Sequence, residues 1–571
     1  MKKLLKMLLV AIMCVVFALP TVGCKAKTTS NDPQTLDIYL LYKGFQDEWL
    51  TSVFDDFKAE SWVKDKYPNL KIQYTFNQGD GFASEKLPGG ISINGYDLMF
   101  GVNLNGFAGT STVADLTDIV YNKTAPGENV TVASKIPQAY KDMFAFEKDG
   151  EDRYYTMCYV EGFWSLLYNK DLLDGFMGED VIPVTTNEFL AVCEQIQTTG
   201  YDFVDPKNDK AEKIYTPIML AHNGYWDTSF DSWWLMYEGL QGYSDFFNGV
   251  YDEELSPQVM RQKGRLRSLQ VIEDIFTSGY GYEKASEKDY IFAQTNFLSG
   301  NGVFHYNGSY FVTEMQDAIK ALKDIGVEKD IRYMKMPVPS AIVERCEFYT
   351  SVETNGDDVT DYESLDATKK AAYDQKLAAI VRDIDNDLTY AQSKSSATGA
   401  ANVYNVSADD WAIIAESRQL AAYSSGGTQT VVIPAYSPSK ELASDVLAYM
   451  YTDKMLKNFV MSSGHTIPSN MDWTENQEVY DSLHPINVSK FDIMKGTSNY
   501  PLIKNSPKNS YVLGKAGLGS RSAFTGRLEV QFMLPDSERQ YTAEQIYQMD
   551  IDYWTDAAWG QLIAGAGYSP N

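Results

Sequence analysis

The chain has 571 residues and carries 77 Asp and Glu against 49 Lys and Arg, a formal charge of −28. A field of that sign repels phosphate backbones and excludes nucleic acid as a natural partner. With 44% hydrophobic and 22% charged residues the composition is that of a globular protein, and at ~100–200 residues per domain the length implies at least two sizeable cores.

The first segment is positive at Lys2, Lys3 and Lys6 and then apolar and uncharged from Leu8 to Leu19. That run is too short for the ~20 residues of a spanning helix, so it reads as a cleaved export signal. Thr21-Val22-Gly23-Cys24 then resembles the bacterial lipoprotein box, with Gly23 in place and Thr21 where leucine is commoner. The resemblance implies cleavage after residue 23 and lipidation at Cys24, with residues 24–35 as a polar tether. No later segment is long and apolar enough to span. The expected location is the extracellular face of the cell membrane, held by lipid alone.

Leu36 to Tyr42 suits a buried strand, and Trp49, Leu50, Val53, Phe54 and Phe57 recur at helical spacing. Ile72, Tyr74 and Phe76 alternate as a second strand does, and Tyr96 to Phe100 reads as a third. This alternation of strand and helix predicts an α/β layer with a mostly parallel sheet. Residues 341–410, rich in Asp, Ser, Thr and Ala, read as an insertion of helix and loop. A strand-like Thr430 to Ile433 precedes another amphipathic stripe at Leu442, Val446, Tyr449 and Met450. No internal repeat of solenoid period appears.

The sequence holds no P-loop, no HExxH and no GxSxG. His222, His305, His465 and His484 lie far apart, and Cys158, Cys193 and Cys346 form no CxxC, so neither a zinc site nor a disulfide framework is expected. Asp383-x-Asp385-x-Asp387 opens like a calcium loop but has Leu388 where glycine is needed and Lys394 where glutamate is needed. Many carboxylates could be paired on paper as glycosidase acids, yet no local pattern selects two of them. The reading is therefore a protein without catalytic residues, metal or cofactor.

Ser165-Leu166-Leu167-Tyr168-Asn169-Lys170-Asp171-Leu172-Leu173 strongly resembles a segment of extracellular solute-binding proteins of the maltose-binding type, the sugar receptors of ABC importers. Val160-Glu161 upstream and Pro183-Val184-Thr185-Thr186-Asn187-Glu188-Phe189 downstream are similar to family elements, the latter lacking the family's Trp. Phe297-x-x-Gly300, Gly308-Ser309-Tyr310 and Met336-Pro337-Val338-Pro339 follow in family order, the last where the family's chain crosses between lobes. Lys440 to Tyr451 and Gly464-His465-Thr466-Ile467-Pro468 continue the series, with a weaker echo at Thr542 to Gly565.

The resemblance implies a two-lobe fold of the periplasmic-binding-protein kind, with several crossing strands and the ligand held between the lobes. Lobe one would be residues 36–135 plus 420–475, lobe two 136–340 plus 476–571, and 341–419 an insertion. It implies a carbohydrate ligand, in oligosaccharide form, and permease subunits of an ABC transporter as partners of a monomeric receptor. Tyr310 matches the family's sugar-stacking aromatic and Glu161 its acceptor of sugar hydroxyls. Lys43, Phe45 and Asn103 fall on loops after strands, where open α/β sheets bind ligands. Trp164 flanks Glu161 beside Phe163, and Asn223 and Trp226 lie in a polar and aromatic loop. Trp233-Trp234 suit the core better, and Arg521 and Arg527 are weaker candidates for the cleft. A peptide receptor of an ABC importer and a surface polysaccharide hydrolase remain the alternatives.

Overall fold

The computed structural model describes residues 33–566, apart from 42–43, 46, 78–94, 103–106, 206–209, 223–224, 356–357, 423–428, 474–475, 495–512 and 514–527. The chain enters through β1 (Thr35–Leu41), every residue of which is buried. The helix α1 (Glu48–Ala59) follows, acidic in its first turn and basic in its last, as the helix dipole favours. Trp49, Leu50, Val53, Phe54 and Phe57 form its buried face. Strands β2 (Lys71–Asn77) and β3 (Leu98–Phe100) flank β1 in parallel.

The strand β4 (Met157–Val160) also belongs to this first sheet, although the expected division gives 136–340 to lobe two. After Glu161 the chain leaves for a second sheet and begins β5 (Trp164–Asn169) there. A long helical stretch, α2 (Thr228–Asn248), and α3 (Lys263–Thr277) pack together on that side, and Trp233 and Trp234 lie in the core. Strands β6 (Phe304–Gly308) and β7 (Ile331–Met334) pair antiparallel with either edge of β5. Met336–Pro339 does not cross back to the first sheet as the family order implies. Val338 bonds along Val184 and Thr186, and Met336 donates to the Ala421 carbonyl, so the segment stays beside the second sheet.

A helical segment intervenes before the return, including α4 (Ala367–Asp385) and α5 (Ala408–Gln419). Only then does β8 (Gln429–Val432) rejoin the first sheet, in the order β2–β1–β3–β8–β4. It runs antiparallel to both β3 and β4. The mostly parallel sheet expected from the sequence is thus half parallel, and the β5 ladders are antiparallel. Strands contributed after a lobe crossing arrive from the opposite direction, which local periodicity cannot record.

Helices α6 (Lys440–Met450) and α7 (Asp453–Ser463) pack against α1 and each other. Thr452 caps α7 by accepting from the Met455 amide, and Gly464 ends it at φ +69°, left-handed. The left-handed backbone favours glycine there, and a β-carbon at Gly464 would also crowd the side-chain amide nitrogen of the buried Asn487. The chain then crosses a last time to α8 (Pro485–Met494), which packs on β7. Near the C-terminus α9 (Ala543–Tyr553) lies against α3. No helix among the described residues is long and apolar enough to cross a membrane.

Candidate functional site

The segments that pass between the sheets meet at Glu161. Its amide donates to the Thr466 carbonyl at 2.8 Å, and the Thr466 hydroxyl donates back to its carboxylate at 2.6 Å. Two crossings are thereby tied side by side. Phe163 and Ser309 bond in both directions next to them, the Ser309 amide to the Phe163 carbonyl at 2.8 Å and the Phe163 amide to the Ser309 hydroxyl at 3.1 Å. Ser309 ends the β6 excursion, so the following residue, Tyr310, is delivered to the seam.

The Tyr310 ring lies between two glycines. A β-carbon at Gly44, from the first sheet's side, would sit 2.4 Å from Tyr310 Cδ2, and one at Gly308 would sit 2.4 Å from Cε1. Gly44 also has φ +76°, a conformation other residues rarely adopt. Around the ring edge stand Phe45 at 5.3 Å, Trp164 at 5.5 Å and Tyr225 at 5.8 Å between centroids, all steeply inclined. Phe45 in turn meets the His465 ring at 4.7 Å. Tyr310 and Phe45 are only 6% and 3% exposed, so this seam is shut in the present structure.

A polar floor underlies the rings. The Tyr310 hydroxyl donates to Tyr225, whose own hydroxyl donates to the Glu314 carboxylate at 3.1 Å. Gln294 donates to the other oxygen of Glu314 at 2.5 Å. Burial pushes the Glu314 carboxyl up, only partly offset by those two donors. Glu314 has no cationic partner among the described residues. The arrangement offers inclined aromatic surfaces, hydroxyls and a carboxylate, the equipment for holding a polar molecule with apolar faces. Among the described residues no group of His, Cys, Asp and Glu gathers as a metal site, and Cys158, Cys193 and Cys346 are buried free thiols.

Of the residues expected at the site, Phe45, Glu161, Trp164 and Tyr310 come together here. Trp226 does not. Its ring packs edge-on to Phe276 at 5.1 Å in the core of the second side, beside Ile218, Leu220 and Ile272. Two neighbours in sequence thus part company, for Tyr225 joins the Tyr310 cluster while Trp226 turns inward. Lys43, Asn103, Asn223, Cys24, Arg521 and Arg527 lie outside the described residues. Sequence reasoning did not single out Tyr225, Glu314, His465 or Thr466 as site residues. Glu314 follows Tyr310 by one helical turn, and His465-Thr466 lie in the quoted Gly-to-Pro turn, but only folding shows that they face one another.

The family described as bacterial extracellular solute-binding protein matches residues 46–342, just over half of the chain. The chain belongs to this family. Solved structures similar to this solute-binding protein include a chitin oligosaccharide binding protein, at 12% identity and TM-score 0.54, covering 93% of this chain and 99% of that one. A structure from a study of xylan utilization by Caldanaerobius polysaccharolyticus aligns at 13% identity and TM-score 0.53, over 91% of this chain and 100% of that one. Maltose-bound MalE3 of T. maritima gives 13% and 0.53, over 91% and 98% respectively. At such identities the likeness is one of fold, two lobes with mixed helix and sheet. No curated protein matches the sequence.

Proposed function

We propose that this solute-binding protein captures a carbohydrate, in oligosaccharide form, at the seam around Tyr310 and delivers it unaltered to the permease of an ABC importer. The observation that carries the reading is the cluster of Trp164, Tyr225 and Tyr310 over the Glu314 carboxylate. Sugars present flat apolar faces rimmed by hydroxyls, and such faces are met by aromatic rings with charged hydrogen-bond acceptors beside them. Because Gly44 and Gly308 cover the Tyr310 ring, a sugar reaches it only when the lobes part. Capture and closure would then share one side chain. The names of two structural relatives, which specify chitin oligosaccharide and maltose, agree with this ligand class.

The proposed lobes follow 36–135 plus 420–475 and 136–340 plus 476–571, with the first boundary moved to Glu161 because β4 pairs in the first sheet. Lipidation at Cys24 would tether a monomer to the extracellular face of the cell membrane. Cys24→Ala should release the protein to the medium, and membrane retention after salt and carbonate washes would contradict the tether. The ligand class is tested by thermal shift against malto-, xylo- and chito-oligosaccharides and a peptide panel. A sugar at ~100 times its Kd should stabilise the fold by ~2.7 kcal/mol and be recovered intact. A response to peptides alone, or cleavage of the sugar, would overturn the proposal.

A further inference from the structure

Lys490, on α8, is wholly inside the molecule, and its partners are unusual for a buried cation. Its ammonium donates to the Gly464 carbonyl, to the Ser309 carbonyl at 3.3 Å and to Nδ1 of His465 at 3.4 Å. It has no carboxylate partner among the described residues. An ammonium has three N–H donors and no lone pair, so these three acceptors use it completely. The consequence runs on through the imidazole. Nδ1 must accept, which puts the ring proton on Nε2, and Nε2 then donates to the Thr313 hydroxyl at 2.8 Å. The Thr313 hydroxyl proton is left for the Tyr310 carbonyl at 3.1 Å. While Lys490 is an ammonium, each direction in this relay is set by its inability to accept.

The relay joins three parts of the chain that meet nowhere in sequence. Gly464 and His465 begin the last crossing segment, Ser309 and Thr313 bracket Tyr310, and Lys490 comes from the helix beneath. Burial pushes the Lys490 ammonium down to about 7. Burial, with the Lys490 charge beside it, holds the His465 imidazole well below its usual range. At pH 6 the lysine is therefore charged and the histidine neutral. We propose that Lys490 is a positioning residue for ligand capture, fixing the Nε2–H tautomer of His465 and, through Thr313, the turn that presents Tyr310. The effect on capture rests on the carbohydrate reading above; the tautomer does not.

The decisive measurement needs no ligand. With 15N-histidine in the full chain at pH 6, and His465 assigned by its loss in His465→Gln, Nε2 should be protonated and Nδ1 bare. A proton on Nδ1, alone or with Nε2, overturns the assignment. In Lys490→Met the tautomers should mix, and whichever of maltotriose, xylotriose and chitotriose binds the unaltered chain should bind about 2- to 30-fold more weakly. A lower melting temperature with tautomer and affinity unchanged would leave Lys490 a mere packing residue and overturn the proposal. Thr313→Val serves as the second variant, because it keeps Lys490 and the Nε2–H tautomer while removing the link to Tyr310. It should weaken the same sugar comparably, and unaltered affinity would overturn the relay. If none of the three sugars binds, the carbohydrate reading fails while the tautomer still decides the role of Lys490.

Discussion

At the seam around Tyr310, ring edges and hydrogen bonds without a described ion pair join the two sides, whereas the helices of 341–419 are seated on buried ion pairs. Glu344 accepts from Arg267 Nε at 3.0 Å, Lys263 at 3.0 Å, the Tyr237 hydroxyl at 2.8 Å and the Tyr362 amide at 2.7 Å. Arg418 grips Asp385 at 2.7 Å and the Met336 carbonyl at 2.8 Å, and Lys335 adds a second cation to Asp385 at 3.2 Å. Burial alone would raise the Asp385 carboxyl, but Arg418 and Lys335 hold it below the ordinary range. Glu314, at the seam, has no such cation and is pushed up instead. Hydrogen bonds contribute about 0.5–1.5 kcal/mol each between neutral groups and about 1.5–3 kcal/mol to a charged one, while stranding one partner of a buried ion pair costs about 3–5 kcal/mol. On the proposed reading the first seam parts and re-forms while the second stays shut.

The largest effect that would break this contrast is expected at the fixed seam. Glu344→Ala leaves Arg267 buried with Asp361 as its one carboxylate among the described residues, beside the Gln270 amide oxygen, and should cost about 3 kcal/mol of stability. Denaturant unfolding would show it, and sugar affinity of the folded fraction should be unchanged. A loss of affinity without loss of stability would mean that the two seams are coupled.

Next comes Asp374 in the same seat, accepting from Ser340 at 2.7 Å and Thr185 at 3.0 Å, with burial pushing its carboxyl up to about 6. A carboxyl raised on folding contributes stability that is full below its unfolded value and lost as pH rises through about 6. Asp374→Asn removes that loss. Relative to the unaltered chain it should gain up to about 3 kcal/mol above pH 6 and nothing below pH 4. Unfolding curves at pH 4 and pH 7 check it, and an equal difference at both would contradict the assignment.

At the moving seam, Gly44→Ala places a methyl against the Tyr310 ring and should hold the lobes apart. The expected cost to closure is about 1–3 kcal/mol, visible as weaker sugar binding and a larger radius of gyration in X-ray scattering. Unchanged scattering and affinity would show that the ring yields without opening. Tyr310→Phe, the mildest change, removes the donor to Tyr225 and keeps the ring. It should cost about 0.5–1.5 kcal/mol of sugar affinity with the melting temperature nearly constant. A drop in stability alone would return Tyr310 to the core.

Much of the local architecture is legible in the residues, because its causes are local. The Tyr168-Asn169-Lys170 motif is a strand running into a helix whose first turn Asn169 caps, accepting from the Leu172 amide. The Pro183-to-Phe189 motif is likewise a cap, Thr185 accepting from the Glu188 amide. The stripe of α1 and the buried run of β1 follow from periodicity and burial alone. These features, taken in order, were enough to indicate the two-lobe solute-binding fold and four residues of the seam, Phe45, Glu161, Trp164 and Tyr310.

What only the tertiary structure decided is which distant groups face one another. Trp226 and Tyr225 are adjacent and chemically alike, yet one fills a core and the other a seam, a choice made by the packing of Phe276 and Glu314. β4 joins the first sheet because its partner β8 returns to it after the long helical segment, and no pattern within Met157–Val160 announces that. Nothing in the residues flanking Lys490 marks it as buried. Folding buries it among the carbonyls of Gly464 and Ser309 and the His465 ring, because hydrogen-bond direction and clearance are properties of three-dimensional neighbours, not of spacing along a chain.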